Sequence, residues 1–469
     1  MNSNQDARYK EYVSILAKNS VYKKAFAKTC KAYLDANGKP VEIDTGLYLM
    51  VFATTLIGFV DWVIEQAVQT GKNRLYFLSR DGYQMYLIAK RLIEIKKVQI
   101  KCEYLHVSRY SMRIPGYHLN IEKSIDSICV GGIDVTPLRI LKRGGLTENE
   151  SKKIIKELKI EKIQNKILNY HQVMKLKEKF RISENLKKYI TNHSLEAYET
   201  AIGYLKQKGL CKDGKFAIVD SGWIGTLQCS IERLVKSVNT DIAVEGYYFG
   251  MYEYPKEANI EQFHSYYFSA KKGIKRKACF SNSLFETIVS STEGMTVGYA
   301  KDNGKYIPVF YEQKNPNEKQ MKRNVEALKI YLQQLEIGEG ICKTEINTQS
   351  IQEELLIRFM ANPTMLEYEC YGKNLFSDDV LDGNYKEVAT PLTWEQIRNQ
   401  RFLNKILIIS GLKKATIYES AWLEGSTVRA AQNSNYVNKN KKEKILTSEL
   451  RHIRFWKKCV FLRKQMKKK

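Results

Sequence analysis

The sequence predicts an α/β fold: an open parallel sheet, a helical insertion within it and a helical C-terminal lobe after it. Three observations carry that prediction. Two short apolar runs, Leu75–Leu78 and Phe216–Val219, each end in a polar loop and pass at once into a helix-compatible segment. Residues 121–195 are rich in Lys, Glu and Ile, a helical composition unlike that of a sheet. From Glu318 onward the pattern is helical again. A strand that hands a polar loop to a helix N-terminus is the repeating unit of a Rossmann-like sheet, and two such units say more than one.

Length and composition set the bounds. A chain of 469 residues exceeds the usual size of one core, so two or three lobes are expected. A hydrophobic content of 43% with 30 tyrosines excludes wholesale disorder, because there is ample apolar surface to bury. Nine cysteines occur without any CxxC pair, and no signal-peptide pattern opens the chain. Free buried thiols in a reducing cytoplasm are expected, rather than a zinc site or a disulfide framework. The longest charge-free apolar run, Leu47 to Val60, is 14 residues and stops at Asp61. A membrane span needs roughly 20, so a buried helix is expected here.

The elements follow in order. Residues 1–45 read as a polar N-terminal helical segment with a turn at Asn37–Pro40. Leu47–Gln69 reads as one long helix, ended by Gly71 just past its last turn. Strand 75–78, the loop Ser79–Gly82 and a helix from about Tyr83 to Ile95 come next; Met85, Ile88, Ala89 and Leu92 make that helix's apolar face. Glu103–Val107 reads as the following strand and ends at Ser108-Arg109, which gives the spacing of a parallel crossover. After the insertion, strand Lys215–Val219, helix Leu227–Val238 and strand Ala243–Phe249 continue the sheet. Residues 305–310 add a hairpin arm, and helices Met321–Leu335, Ile351–Met360 and Trp394–Ile409 make the lobe. The expected units are 1–45, an α/β core at 46–310, a helical lobe at 311–435 and a basic tail at 436–469.

The net charge of +25 is uneven. Residues 439–469 hold 13 Lys/Arg against Glu443 and Glu449. Leu446, Leu450, Ile453, Trp456 and Val460 recur on one helical face, with basic residues turned elsewhere. Such a helix can lie in an anionic bilayer interface, each nearby Lys or Arg adding about 1 kcal/mol. A capping helix docked on the protein is the plainer alternative. No helix-turn-helix, zinc finger or RNA-binding motif supports nucleic acid as a partner.

Two loops are the candidates for chemistry. In Asp220-Ser221-Gly222-Trp223-Ile224-Gly225-Thr226, an acid follows the apolar run, where open sheets bind ligands. Gly222 and Gly225 permit positive φ and close approach of a phosphate. The helix beyond Thr226 offers free N–H groups and a partial positive charge. Asp220 would hold sugar hydroxyls, directly or through magnesium. In Ser79-Arg80-Asp81-Gly82, Arg80 offers a forked cation for a diphosphate, Asp81 a carboxylate for metal and Gly82 a strain-free turn. Arg109 would face the same crevice, and Glu286 is a candidate general base. For each the plainer alternative stands beside it: a helix-capping Asp, a surface ion pair, a helix-surface acid. The six histidines lack ligand spacing, and no GxSxG or Walker motif is present.

Leu75–Gly82, Val219–Gln228 and Leu284–Val289 with Gly294, Gly298 and Tyr299 resemble a bacterial family encoded in surface-polysaccharide gene clusters, often labelled predicted HAD-superfamily hydrolases. The resemblance covers about residues 45–310. A haloacid-dehalogenase-type phosphatase domain usually comes first in that family. Its chemistry needs an apolar strand ending in DxD, and the nearest stretch, Glu42-Ile43-Asp44-Thr45-Gly46, lacks the second acid. The domain that remains is similar to phosphoribosyltransferases. That resemblance implies a phosphoribosyltransferase-like sheet in which Ser79–Gly82 binds diphosphate and Asp220–Thr226, with Gln228 beyond, binds the 5-phosphate. It departs from the usual pattern in having Ser221 where a second acid stands, and in a loop about two residues shorter.

The resemblance therefore implies a glycosyltransferase that moves 5-phosphoribosyl from phosphoribosyl diphosphate to a hydroxyl of a lipid-linked glycan. Asp220, Asp81 and Glu286 would be catalytic, with magnesium on Asp81 and Asp220. A separate phosphatase would act on the product. The expected place is the cytoplasmic face of the inner membrane, reached through the basic tail. Two alternatives stay open: a non-catalytic scaffold, which the loss of an acid at Ser221 favours, and a divergent phosphatase using Ser79.

Overall fold

The computed structural model describes residues 3–129, 135–256, 258–312, 315–337, 349–377 and 385–432. Five parallel strands form the central sheet: β1 (Arg74–Leu78), β2 (Lys101–Leu105), β3 (Phe216–Trp223), β4 (Glu245–Met251) and β5 (Phe263–Phe268), in the order β2-β1-β3-β4-β5. The Rossmann-like α/β class predicted from the sequence is the fold observed. Alternation along the strands builds it. Leu75, Phe77, Ala217, Val219, Tyr247 and Phe249 enter one core, whereas Tyr76, Leu78, Phe216 and Ile218 enter another on the opposite face.

The first face is covered by α1 (Ser3–Leu16), α2 (Ser20–Asn37), α3 (Ile43–Leu47), α4 (Thr54–Gln69) and α5 (Gly82–Lys96). Asn19 caps α2 by accepting from the amides of Val21 and Tyr22, and Gly38 ends it at φ +64°, which is why the chain turns where predicted. A π turn at Tyr48–Ala53 joins α3 to α4, making one helical run of 27 residues. By length and composition that run could cross a bilayer. In this fold Leu47 to Val60 is buried throughout, as expected of a core helix. Asp44 sits inside α3 and pairs with Arg323 at 2.5 Å, so the Glu42–Gly46 stretch is helical and forms no phosphatase strand end.

After β2 come α6 (Arg109–Arg113) and the insertion: α7 (Ile121–Ile128), α8 (Pro137–Arg143), α9 (Glu148–Glu157), α10 (Tyr170–Ile182) and α11 (Glu184–Gln207). The insertion has its own core around Ile140, Ile154, Phe180 and Ile190. It runs past the predicted limit of 195 because Ala201, Ile202, Tyr204 and Leu205 of α11 pack directly on the second face of the sheet. Helix α12 (Thr226–Lys236) covers the same face.

Three strand expectations are corrected. Strand β2 starts two residues earlier than predicted and stops at Leu105. Strand β3 does not end at Val219: Gly222 and Trp223 still pair with Gly250 and Met251, so the turn falls at Ile224-Gly225. Strand β5 went unpredicted. Its run Phe-His-Ser-Tyr-Tyr-Phe has no β-branched residue, although the aromatic content was a usable signal.

Past α13 (Ile274–Ala278) and α14 (Asn282–Val289), the expected arm at 305–310 is the second strand of an antiparallel hairpin, β6 (Thr296–Asp302) and β7 (Lys305–Phe310). The lobe holds α15 (Glu318–Gln333), α16 (Gln349–Leu356), α17 (Met365–Tyr371), a two-residue pair of strands β8 (Leu375–Phe376) and β9 (Lys386–Glu387), then α18 (Trp394–Asn399), α19 (Phe402–Ile409) and α20 (Leu423–Ala430). The helix predicted at Trp394–Ile409 is thus two. Residues 1–45 and the lobe share one core with the sheet, in which Tyr12, Phe52, Phe249, Phe285, Phe359, Tyr371 and Trp422 all take part. Arg8 and Tyr12 of α1 both donate to Oε1 of the buried Glu367 on α17, each at 2.6 Å. The basic tail, with its Leu446/Leu450/Ile453/Trp456/Val460 face, lies outside the described residues.

Candidate active site

In the order β2-β1-β3-β4-β5 the sheet changes direction of build between β1 and β3. Open sheets leave a ligand crevice at the C-terminal strand ends of such a switch point. Both sequence-predicted loops leave those two strands, which are hydrogen-bonded neighbours in the register Phe77↔Val219.

The β1 loop is held from two sides. Ser79 Oγ donates to the Val107 carbonyl at 2.8 Å and accepts from the Val107 amide at 3.0 Å, tying the loop to the end of β2. The Ser79–Arg80 peptide bond is cis. The Ser291 amide donates to the Arg80 carbonyl at 3.1 Å. Gly82 opens α5, and a Cβ there would lie 2.9 Å from the backbone carbon of Phe77. The glycine therefore lets the helix start hard against the strand.

The β3 loop meets it. Ser221 Oγ donates to Asp81 Oδ2 at 2.5 Å, so Asp81 and Asp220 belong to one cluster. Gly222, Trp223 and Gly225 take φ of +106°, +81° and +81°. The Trp223 indole stacks on Phe268, and its Nε1 donates to Glu286 Oε1 at 2.5 Å. Glu286 comes from α14, whose end is fixed by Gln84 Nε2 donating to the Ile288 carbonyl at 3.1 Å. Tyr48 in turn holds Gln84, donating to its Oε1 at 2.6 Å.

Three carboxyls thus converge, and each is pushed up. Burial, then repulsion from Asp81 and Glu286, takes Asp220 to about 8, against the pull of the Ser221 and Gly222 amides. Burial and Asp81 take Glu286 to about 7, opposed by the Trp223 hydrogen bond and by Arg109 and Arg80. Burial also raises Asp81, opposed by hydrogen bonds from Ser221 and Ser290 and by the charges of Arg80 and Arg109. Arg109 stands exposed as the first residue of α6, which Ser108 caps by accepting from the Ser111 amide at 3.0 Å. The site is an acidic centre flanked by two arginines.

Magnesium, which the resemblance implies, would find hard oxygen donors in Asp81 and Asp220. Among the described residues no group of three or more His, Cys, Asp or Glu side chains is set to hold a metal. An ion here would take most of its ligands from phosphate and water, as magnesium commonly does. The donor set fits that role: burial and then repulsion from Asp81 and Glu286 lift Asp220, and a divalent cation relieves that repulsion.

Comparison with family models finds no match for this chain, and comparison with curated proteins finds none either. What can be said of its chemistry rests on these residues.

The structure brings together Arg80, Asp81, Asp220, Ser221, Trp223 and Glu286, with Arg109 beside them and Thr226 at the far end of the β3 loop. Ser79 and Gly82 shape the loop. Gln228, expected to bind substrate, is corrected: it is fully buried, its amide donates to the Val244 carbonyl at 2.8 Å, and its Oε1 accepts from Tyr248 at 2.6 Å. Its work is to pin α12 to β4. Sequence reasoning missed Ser290, and it missed Arg113, which donates from Nη2 to Thr226 Oγ1 at 3.0 Å. A signal for Arg113 existed: it stands four residues after Arg109, on the same helical face.

Proposed function

We propose that the protein is a glycosyltransferase that moves a 5-phosphoribosyl group from phosphoribosyl diphosphate to a hydroxyl of a lipid-linked glycan in surface-polysaccharide synthesis. The observation that carries this reading is the contact between Ser221 and Asp81. Position 221 lacks the second acid of the usual pair, and Asp81 brings a carboxylate to that place from the neighbouring loop. The contact speaks for retained chemistry over a non-catalytic scaffold. The engagement of the Ser79 hydroxyl on both sides by Val107 speaks against the phosphatase alternative.

In this reading Arg80 and Arg109 bind the diphosphate, and Asp220 orients the ribose hydroxyls. Asp81 and Asp220 would hold magnesium, which when bound would neutralise charge on the diphosphate leaving group. The acceptor oxygen forms its bond to the anomeric carbon as the bond from that carbon to diphosphate breaks, the electron pair leaving with diphosphate. Glu286, near neutrality at about 7, takes the acceptor proton. A separate phosphatase would remove the phosphate that the transferred group still carries.

Calorimetric titration with phosphoribosyl diphosphate tests the reading: saturable binding that strengthens with magnesium is expected, and no heat with or without the metal refutes it. The membrane location is part of the same proposal. The tail's 13 basic residues and apolar face favour the cytoplasmic surface of the inner membrane, where a lipid-linked acceptor would be found. Deleting 439–469 should release the protein from anionic vesicles in co-sedimentation while sparing transfer to a small soluble acceptor. Equal sedimentation with neutral and anionic vesicles, or none with either, would make the tail a docked capping helix.

A further inference from the structure

We propose that helix α19 and the turn after it form a membrane-inserting face, which sinks its leucines into an anionic bilayer surface. This face shares the membrane location proposed above, yet none of its residues belongs to the basic tail or to the phosphoribosyl site.

Helix α19 is built the wrong way round for a helix in water. Its polar side chains turn back toward the end of α18: Asn404 donates from Nδ2 to the Arg398 carbonyl at 2.8 Å, and Lys405 donates to Gln400 Oε1 at 3.2 Å. Two leucines and an isoleucine turn outward. Leu403 is 72% exposed, Ile406 47% and Leu407 39%, at the i, i+3, i+4 spacing of one helix face. Gly411, at φ +79°, ends the helix, and the Lys413 amide then donates to the Leu407 carbonyl at 2.9 Å. That bond keeps Leu412, 79% exposed, beside the last turn. A surface helix ordinarily shows its polar side to solvent, and a contiguous apolar face left outside marks contact with a partner or a membrane.

Charge decides the occupant. From Gln396 to Tyr418 the chain carries Arg398, Arg401, Lys405, Lys413 and Lys414, and neither Asp nor Glu. Glu419, just beyond, pairs with Lys405 at 3.3 Å, and Lys413 donates to Asn399 Oδ1 at 2.8 Å. A second copy seated on this face would set five cations against five. The tail, with 13 Lys/Arg against Glu443 and Glu449, would also bring like charge to it. Such juxtaposition disfavours both. An anionic bilayer takes apolar side chains at its acyl boundary and cations at its headgroups together, which is what helices lying in the interface plane offer. Eight residues make about 12 Å of helix, too short to span a bilayer and suited to lying flat in its surface. Polybasic attraction and one shallow insertion are each marginal alone, so the tail and α19 anchor jointly.

Co-sedimentation of the full chain with vesicles of phosphatidylcholine, and of phosphatidylcholine with phosphatidylglycerol, tests the insertion. Leu403→Ser combined with Leu412→Ser should weaken binding to the anionic vesicles by about tenfold or more, because two leucines lose their burial in the acyl boundary. Ile182→Ser, at a side chain 78% exposed at the end of α10, should stay within about twofold of wild type. Unfolding midpoints of both variants should match wild type, since the substituted side chains face outward. Amide exchange over 403–412 should slow when anionic vesicles are added, and should not slow in concentrated protein without them. Wild-type binding by the double variant, or slowed exchange in concentrated protein alone, overturns the insertion and leaves the tail's role standing. A double variant that unfolds early also overturns it, since the leucines would then belong to the fold. If deleting 439–469 spares binding while the double variant loses it, the tail reading fails and α19 is the anchor. If wild type binds neither kind of vesicle, both fail.

Discussion

Asp220→Asn is expected to abolish transfer and leave the fold standing. The side chain sits at the switch point, enclosed but outside the apolar cores, and its neighbours repel its charge. Asparagine keeps the shape and loses the carboxylate that orients ribose and holds magnesium, so diphosphate release should fall on the order of a hundredfold or more. Stability should move the other way. The folded pKa of about 8 lies above the unfolded value of roughly 3.9, so the folded state binds more protons between about pH 4 and pH 8. The stability that this group contributes is complete below that window and is lost as pH rises through it. The asparagine variant has no such slope. Its unfolding midpoint should match wild type near pH 4 and exceed it at pH 8. Transfer near the wild-type rate would sink the catalytic assignment, and an inactive variant that unfolds early would make Asp220 structural.

Gly222→Ala should do the reverse and break the loop itself. At φ +106° the backbone lies outside the region that side-chain-bearing residues tolerate. A Cβ there would stand 2.5 Å from the Gly250 carbonyl oxygen and 3.0 Å from Tyr248. The obstacle is backbone of the paired strand β4, which cannot step aside without losing the register Gly222↔Gly250. Strain and overpacking together cost about 3 kcal/mol or more. Urea denaturation should show that loss as a lower midpoint, with ligand binding lost in parallel. Gly298→Ala is the control, since a Cβ at Gly298 meets nothing within 4 Å. Equal midpoints for the two variants would refute the account of Gly222.

Strands β1 and β3 and the Ser79–Gly82 loop were legible because local signals suffice for them. An apolar run of four or five residues followed by small polar residues says strand, then loop, then helix, and β1 and β3 lie where that pattern put them. What could not be read locally was set by pairing across the chain. Strand β3 continues through Asp220–Trp223 beside β4 because Gly222, at φ +106°, carries no Cβ to meet the Gly250 carbonyl oxygen. Asp81 completes the cluster from 140 residues away, and no spacing rule announces it. Arg113 gains meaning only once α6 lies on α12. Gln228 misled for the opposite reason: adjacency to a motif in sequence placed it one step past the loop, on the side of α12 that faces β4.

The contact between α1 and α17 has a consequence for how the chain is made. Arg8 and Tyr12 reach Glu367 across 359 and 355 residues of sequence. At the usual speed of synthesis, roughly 20 to 70 s pass between the emergence of α1 and that of its partner. Throughout that interval Tyr12, fully buried in the finished protein, lacks its Glu367 partner. Helix α1 thus leaves the ribosome long before its partner and cannot finish docking until α17 follows, and meanwhile a chaperone or its own α2 must occupy its apolar face.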